Sequence, residues 1–586
     1  MVLSKAESSK VIEQDKPGGN PQVPIRLGVL LDDDLVPNYV NTLLNELSLR
    51  PDMQLAAVIV HRRHRYPGSS AYRRFLAGAP SSLVSLDRIV AKAALIVVTG
   101  IEALVLRFKN LASDPLRLEP IRYPSASVVR ITPLCAGGAP HCQYAQSDLD
   151  VLSGLALDFL VVESERDPAL SARASLARFG AIRMRFGASP AVPANQAGFK
   201  EVCQRNPASK FRIVSLHGHG DTPIFEGMFQ TRLSLVDNRR ELIRKAYHYL
   251  GQAIAAHFAR LTSGKPAHSV PIESTHQTAM DSLLSARELL GSLWPRIDTI
   301  RRGALNALLG RKECWRIAWY RGCWQEVGSA KCNLMVNPAG GFLADPFVVS
   351  REGRHLCFVE EYHYRKGRGV ISALELTGTS TQKLGSIIEE PFHLSFPFLF
   401  EFESRLYLCP ESSQAEQIRV YECLEFPLQW KLCSVLMDKV QAVDTMLVEY
   451  DGRWWMFTNI DPQGSNDFES RLYLFWSDSP LSTVWEPHPQ NPVVFDPQCA
   501  RNAGLLTRDG ELFRCAQRQG LAQYGEAFSI RKIVELTTAH YAEQLHLAVE
   551  PETYGARGTH HMHHDNAFVV RDECHIVRPA RAPPLH

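Results

Sequence analysis

The stretch DTMLVEYDGRWWMFTN, Asp444 to Asn459, decides how the second half of this chain is read. An apolar run leads to an acid followed by glycine, and a second run rich in aromatic residues follows. Two such runs joined by an acidic-plus-small turn predict a β-hairpin. The same unit recurs along the chain. DPFVVSREGRHLCFVEE begins at Asp345, FPFLFEFESRLYLCPES at Phe396, NAGLLTRDGELFRCAQ at Asn502 and DNAFVVRDECHIV at Asp565. In all five units the turn acid (Glu352, Glu403, Asp451, Asp509, Asp572) falls seven residues after the lead residue. Successive lead residues lie 51, 48, 58 and 63 residues apart. A small antiparallel sheet cannot bury both faces alone, so repeated sheets stack around an axis. Five hairpins at this spacing predict a five-bladed β-propeller over residues 313–580.

In a small propeller the residues that start each inner strand crowd one end of the axis. The lead residues Asp345, Asp444, Asn502 and Asp565 are therefore site candidates. Converging carboxylates can act as acid and base on a glycosidic bond when their environments separate their proton affinities. Asp345 and Asp444 lead that set, with Glu411 of LCPES and Glu526 of QYGEAF as further acids. Glu361 (beside Glu360), Arg501, Asn502 and Gln517 are expected to bind substrate, and Tyr362, Phe392, Phe396 and Tyr524 to stack on sugar rings.

GTHHMHHDN, Gly558 to Asn566, holds four histidines in nine residues. Side chains alternate along a strand, so at most His561 and His563 share a face, and two ligands do not make a structural metal site. Sugar contact or blade-closing hydrogen bonds are expected instead, with His560 at the substrate. No metal is expected, and no cofactor is indicated.

Residues 24–261 read differently. RLGVLL (Arg26 to Leu31), a helically spaced segment through Leu47, and MQLAAVIV (Met53 to Val60) form a β-α-β opening. DFLVVES and GAIRMRF repeat the theme, which predicts a doubly wound α/β sheet. The first turn is DDDLVP in place of a glycine-rich loop, and its three carboxylates argue against a dinucleotide site. AALIVVTGIEALVL, Ala93 to Leu106, is interrupted by Gly100 and Glu102 and is shorter than the roughly twenty residues of a membrane span. It is read as a buried helix, with an interfacial helix as the alternative. Residues 262–312 read as a polar linker and a basic amphipathic helix with Arg296, Arg301, Arg302, Arg311 and Lys312, suited to an interdomain role or to peripheral membrane contact. Residues 1–23 read as a disordered lead-in without a signal peptide, which places the protein in the cytoplasm or at the inner face of the membrane.

Composition narrows the classes. A net charge of +2 offers no basic field for nucleic acid, and thirteen scattered cysteines without a CxxC pair argue against a disulfide framework or zinc ribbon.

The stretches ADPFVV, EEPFHLSFPFLF, LYLCPES, DTMLVEYDGRWWMFTN and ARNAG, between about Trp315 and Arg578, resemble the N-terminal domain of glucosamine inositolphosphorylceramide transferase, a propeller that is similar to those of furanosidase-type glycoside hydrolases. That resemblance implies a glycan- or glycolipid-facing propeller with Asp345 at the position of a catalytic base. Glycosyl transfer in the plant protein is thought to reside in a further domain, which this sequence does not show before His586, so transferase activity is not carried over.

The first half resembles, more weakly, formyltransferases that use formyl-tetrahydrofolate, and with the propeller it resembles bacterial two-domain proteins. In that alignment Arg183 and Arg185 replace the family's Asn and His, and Asp221 matches its Asp. Two arginines on one face of a strand end suit a phosphate or carboxylate better than proton transfer. Three functions follow: a carbohydrate-active enzyme of cell-surface glycan or glycolipid biosynthesis, a formyl-type transferase on an amino sugar, or a non-catalytic glycan-binding scaffold.

Overall fold

A computed structural model describes residues 23–577 apart from 62–85, 109–114, 124–126, 135–140, 165–166, 169–175, 188–191, 193, 218–219, 264–284, 378–379, 463, 522 and 552–554. The lead-in and most of the polar linker lie outside the described residues. The chain forms two compact units, Ile12–Arg296 and a second that contains Ile297–His586.

In the first unit, seven strands form one sheet. The strand Ile25–Leu31 sits between Met53–His61 and Phe159–Val162, and it pairs with both in parallel. Ser127–Ile131 continues the sheet on one side, and Ala181–Phe186, Ala208–His217 and Gly220–Gln230 on the other, the last two antiparallel. Leu27 through Leu31 are all buried, which requires cover on both faces. The core of this unit is a seven-stranded mixed sheet. Its reversal of strand order falls between Ile25–Leu31 and Phe159–Val162, the usual place for a crevice in such sheets.

The helix Leu86–Phe108 departs from expectation. Its apolar segment was read as buried, yet Ile96, Val97, Ile101, Leu104 and Val105 are each about half exposed. Among the described residues, the flank with Ala94, Leu95 and Val98 packs onto Phe199, Val202, Leu235 and Leu289. The helix is apolar on more faces than the unit covers.

In the second unit, five sheets of at least four strands are formed. Four are consecutive in the chain, with inner strands Gly341–Arg351, Ser395–Phe402, Ala442–Tyr450 and Asn502–Arg508. The fifth is assembled from both ends of the unit. Lys312–Arg321 pairs antiparallel along its whole length with Phe568–Val577, and Met562–His564 is the innermost strand. The result is a closed five-bladed propeller. The basic helix Ala286–Leu308 begins with a capping box, in which Ser285 and Glu288 exchange hydrogen bonds between side chain and main chain.

The seven-residue spacing has a physical cause in four blades. The turns are Glu352-Gly353, Glu403-Ser404, Asp451-Gly452 and Asp509-Gly510, and all eight residues have positive φ between 48° and 78°. These are two-residue turns whose twist matches that of the flanking strands. The fifth unit was set in the wrong register. Asp572 is no turn acid but lies within Phe568–Val577, fully buried, while Asn566 and Ala567 form the centre of the turn. Asp565 caps that turn by accepting from the N–H groups of Ala567 and Phe568, so it does not face the axis. The strand Met562–His564, at the end of GTHHMHH, takes the inner place instead. The periodic pattern fails here because this blade is split between the two ends of the unit.

The turns yield a direct test. Gly452→Val forces a β-branched residue to φ 72°, which should cost about 1–2 kcal/mol. A lowered urea midpoint with an unchanged slope is expected. An unchanged midpoint would show that this turn does not constrain the blade.

Candidate active site in the propeller funnel

Four of the five inner strands break register at or next to the lead position. The ladder skips between Ala344 and Phe347, between Ser395 and Phe398, between Val443 and Met446, and between Asn502 and Gly504. Asp345, Phe396 and Asp444 take φ of 47°, 45° and 50°. These are β-bulges, which re-aim a side chain out of the strand's alternation. Asp345 and Asp444 thereby join a buried cluster with Glu360 and Asp572, and with Glu411 at its more accessible edge.

The contacts are specific. Asp345 accepts from Phe396 N on Oδ2 at 3.3 Å, and its Oδ1 lies 3.1 Å from His560 Nε2. On the other side of that ring, His560 Nδ1 is 3.1 Å from Asp572 Oδ2. Asp572 Oδ1 accepts from the N–H groups of His560 and His561, which fixes the histidine strand. Asp444 Oδ2 accepts from Arg501 Nε at 2.6 Å and from Gln517 Nε2 at 3.2 Å. Glu411 hydrogen-bonds to Asp444, and the Arg501 guanidinium lies over the Tyr524 ring.

Burial raises the proton affinity of every carboxyl here, and the partners then separate them. For Asp345 the hydrogen bond and charge of His560 outweigh burial and hold the carboxyl at about 2. Asp572 is pushed up to about 6 by burial, against the pull of His560. Glu360 and Glu411 are pushed well above the carboxylate range, first by burial and then by neighbouring carboxylates. Asp444 is raised by burial, with Arg501 opposing. His560 is raised: burial lowers it, but the charges of Asp572 and Asp345 prevail. One funnel thus holds an ionised carboxylate and two carboxyls that keep their protons near neutrality, the separation that acid–base chemistry requires.

Several expected residues lie elsewhere or serve differently. Glu361 was expected at the substrate, but strand alternation turns it into the blade, where Ser372 and Lys383 bind it; Glu360 faces the cluster. Glu526 lies outside the cluster, with its half-exposed carboxylate 3.9 Å from Arg518. Asn502 is fully buried and ties Asp444 O and Phe457 O through its amide, so it is a fastener between strands. Phe396 is fully buried against Phe347 and His561 and is not free to stack on a sugar. Tyr362 is partly exposed and stacks on Phe342, and Tyr524 is 44% exposed.

The histidines divide their work. His563 Nδ1 accepts from Val348 N and so joins two blades. His561 packs between Phe347 and Phe396, and burial lowers it to about 3. Asp345, His560 and Asp572 are the one group of metal-ligand type among the described residues, with ligand atoms within 4.8 Å. Both ring nitrogens of His560 already face a carboxylate, Nε2 by a hydrogen bond to Asp345 and Nδ1 by a charge contact with Asp572. Asp572 was missed as a site residue because it had been assigned to a turn.

In the first unit the arginine pair makes no open anion site. Arg185 Nε donates to Asp221 Oδ2 at 2.9 Å, and Arg183 is buried and donates to the carbonyls of Val162 and Ser164. Asp32, from the acidic first turn, accepts from Ser164 Oγ at 2.7 Å and lies 3.2 Å from His61 Nδ1.

Comparison with known proteins finds similarity over the propeller. Residues 327–571 match the family model described as glucosamine inositolphosphorylceramide transferase 1, N-terminal. Relatives named glucosamine inositolphosphorylceramide transferase 1 occur in rice and in Arabidopsis thaliana. The rice protein (Oryza sativa subsp. japonica) is 33% identical over 234 residues, 39% of this chain and 31% of its own length. The Arabidopsis thaliana protein is 33% identical over 207 residues, 34% of this chain and 27% of its own. The chain thus spans about a third of the length of these relatives. Both are plant proteins matched over part of the chain, so the bacterial two-domain arrangement rests on the sequence resemblance alone. Among solved structures, a family 117 glycoside hydrolase of Zobellia galactanivorans aligns with TM-score 0.30 and 10% identity over 46% of this chain and 93% of its own. A Coprinopsis cinerea GH62 α-L-arabinofuranosidase aligns with TM-score 0.32 and 13% identity, over 42% and 83%.

The Arg501–Asp444 pair is buried, with side chains 12% and 3% exposed. Arg501→Gln leaves buried carboxyls without their cation and should cost about 3–5 kcal/mol. Arg501→Gln with Asp444→Asn should recover much of that. Equal losses in single and double variants, measured by denaturant unfolding, would refute the coupling.

Proposed function

We propose that the propeller is a carbohydrate-active module of glycan or glycolipid biosynthesis, acting on a glycosidic bond at the mouth of the funnel. The observation that carries this reading is the separation of proton affinities among carboxyls that share one funnel. Asp345 is ionised and suits the base or charge-stabilising role. Glu411 holds its proton and is more accessible than Glu360, which suits the acid that protonates a leaving oxygen. Arg501 opposes the rise that burial gives Asp444, and the neighbouring Asp444 carboxyl in turn favours the protonated form of Glu411. Tyr362, Phe342 and Tyr524 offer ring faces for sugar. The names of the plant relatives refer to a lipid-linked inositol phosphate, and a glycolipid headgroup is the substrate class they suggest here.

A second reading has its own support. Both oxygens of Asp345 are engaged, and Asp444 is held by Arg501 and Gln517. A cluster whose two leading aspartates are already engaged also suits a binding module without turnover. Formyl transfer by the first unit has no such support. Arg183 and Arg185 stand where proton transfer would be needed, and an arginine does not act as a base at neutral pH.

The test is a screen of the full chain against glycosides, nucleotide sugars and glycolipid headgroups, read by thermal shift and by product formation. Asp345→Asn and Glu411→Gln should each reduce turnover by about 10²–10⁴ while the protein still binds the same ligand. The pH profile of the native chain should keep its activity at neutral pH, because the acid limb follows Asp345 at about 2 and the alkaline limb follows the raised Glu411. Ligand binding without product from native protein would select the binding module. Turnover that survives both substitutions would remove these residues from the chemistry.

A further inference from the structure

We propose that the first compact unit docks on an anionic lipid surface through the helix Leu86–Phe108. This inference is independent of the reading of the propeller.

The helix is held in a fixed rotation. Ala94, Leu95 and Val98 pack on Phe199, Val202, Leu235 and Leu289. Glu102 lies on the same flank, accepting from Ser234 Oγ at 2.8 Å and Val236 N at 2.9 Å and pairing with Arg296 at 3.0 Å. With that flank fixed, the arc from Ile96 round to Val105 faces outward, and Ala94 lies at its margin. It carries Ile96 at 57%, Val97 at 59%, Ile101 at 60%, Leu104 at 54% and Val105 at 48% exposure. At 100° per residue these five positions span one half-turn of the helix, so they form a single stripe.

The stripe has the company that an interfacial helix needs. The segment Ala286–Arg296, which packs beside it through Leu289, exposes Leu290 at 48% and Trp294 at 70%. An exposed tryptophan next to an aliphatic stripe suits the headgroup boundary. The charges are one-sided. Among the described side chains of the two segments, the carboxylates Glu102 and Glu288 are bound within the fold, whereas Arg107 and Arg287 are exposed. An apolar stripe flanked by cations complements an anionic bilayer and disfavours a second copy of the same face, which would bring cation toward cation. Among the described residues no helix is long and apolar enough to cross a membrane. With one flank committed to protein, this helix would lie in the surface.

The experiment is cosedimentation of the full chain with phosphatidylcholine vesicles, with and without phosphatidylglycerol. The native chain should bind the anionic vesicles, and binding should weaken with salt. The pair Val97→Asp and Ile101→Asp, at positions more than half exposed, should leave the thermal midpoint unchanged and lower partitioning by about tenfold or more. Arg107→Glu, a substitution that leaves the stripe intact, should weaken binding to anionic vesicles alone. Absence of native binding, or binding undiminished in both variants, would overturn the proposal. So would a native dimer in sedimentation velocity that the aspartate pair dissolves while vesicles are ignored, since a second copy would then cover the stripe.

Discussion

The propeller depends on one pairing between distant parts of the chain. Lys312–Arg321 and Phe568–Val577 hydrogen-bond over their full length, and without that contact four blades would form an open arc with unpaired edges. Closure also completes the funnel. It places Asp572 in a buried strand and uses its carboxylate to hold the backbone of His560 and His561. That puts the His560 ring against Asp345, more than two hundred residues away in sequence. Fold closure and assembly of the carboxyl cluster are therefore one event.

The cluster shows how several acids can be buried together. Five carboxylates in one low-dielectric space would repel strongly, and desolvation adds to the cost. Two devices relieve this. His560 and Arg501 supply positive charge to Asp345 and Asp444, while Glu360 and Glu411 keep their protons. The first device holds Asp345 ionised and opposes the rise that burial brings to Asp444, and the second follows in part, since an ionised neighbour makes further ionisation harder. The division of roles is a property of the group as a whole.

The sequence made much of this legible, and the reasons are local. Four turns could be read because a two-residue turn needs positive φ at both positions, and Glu-Gly, Glu-Ser and Asp-Gly steps between strand-like runs record that need. Asp345, Asp444 and Glu411 could be placed at the funnel from the repeat alone. The fifth register was misread because its blade does not run consecutively, so Asp572 mimicked a turn acid by coincidence of spacing. Glu361 was chosen over Glu360 because alternation gives two faces without saying which is inner until the bulge is located. The helix Leu86–Phe108 was read as buried because apolar composition reports what a helix seeks to cover, not whether the same unit supplies the cover.

The bulges carry the deeper constraint. Aspartate tolerates left-handed φ comparatively well, but Phe396 holds the same conformation with a bulky side chain, at φ 45°. The residue type therefore does not create the bulge. The hairpin turn fixes one end of each inner strand, and crowding at the axis fixes the other, so the backbone must absorb the mismatch at the lead position whatever occupies it. The side chain there is aimed at the axis by architecture and is free to vary in chemistry. Phenylalanine fills the position in one blade and packs His561, while aspartate fills it in two others and builds the charged cluster. A propeller of this kind can gain or lose chemistry at its funnel by changing lead residues without altering its fold.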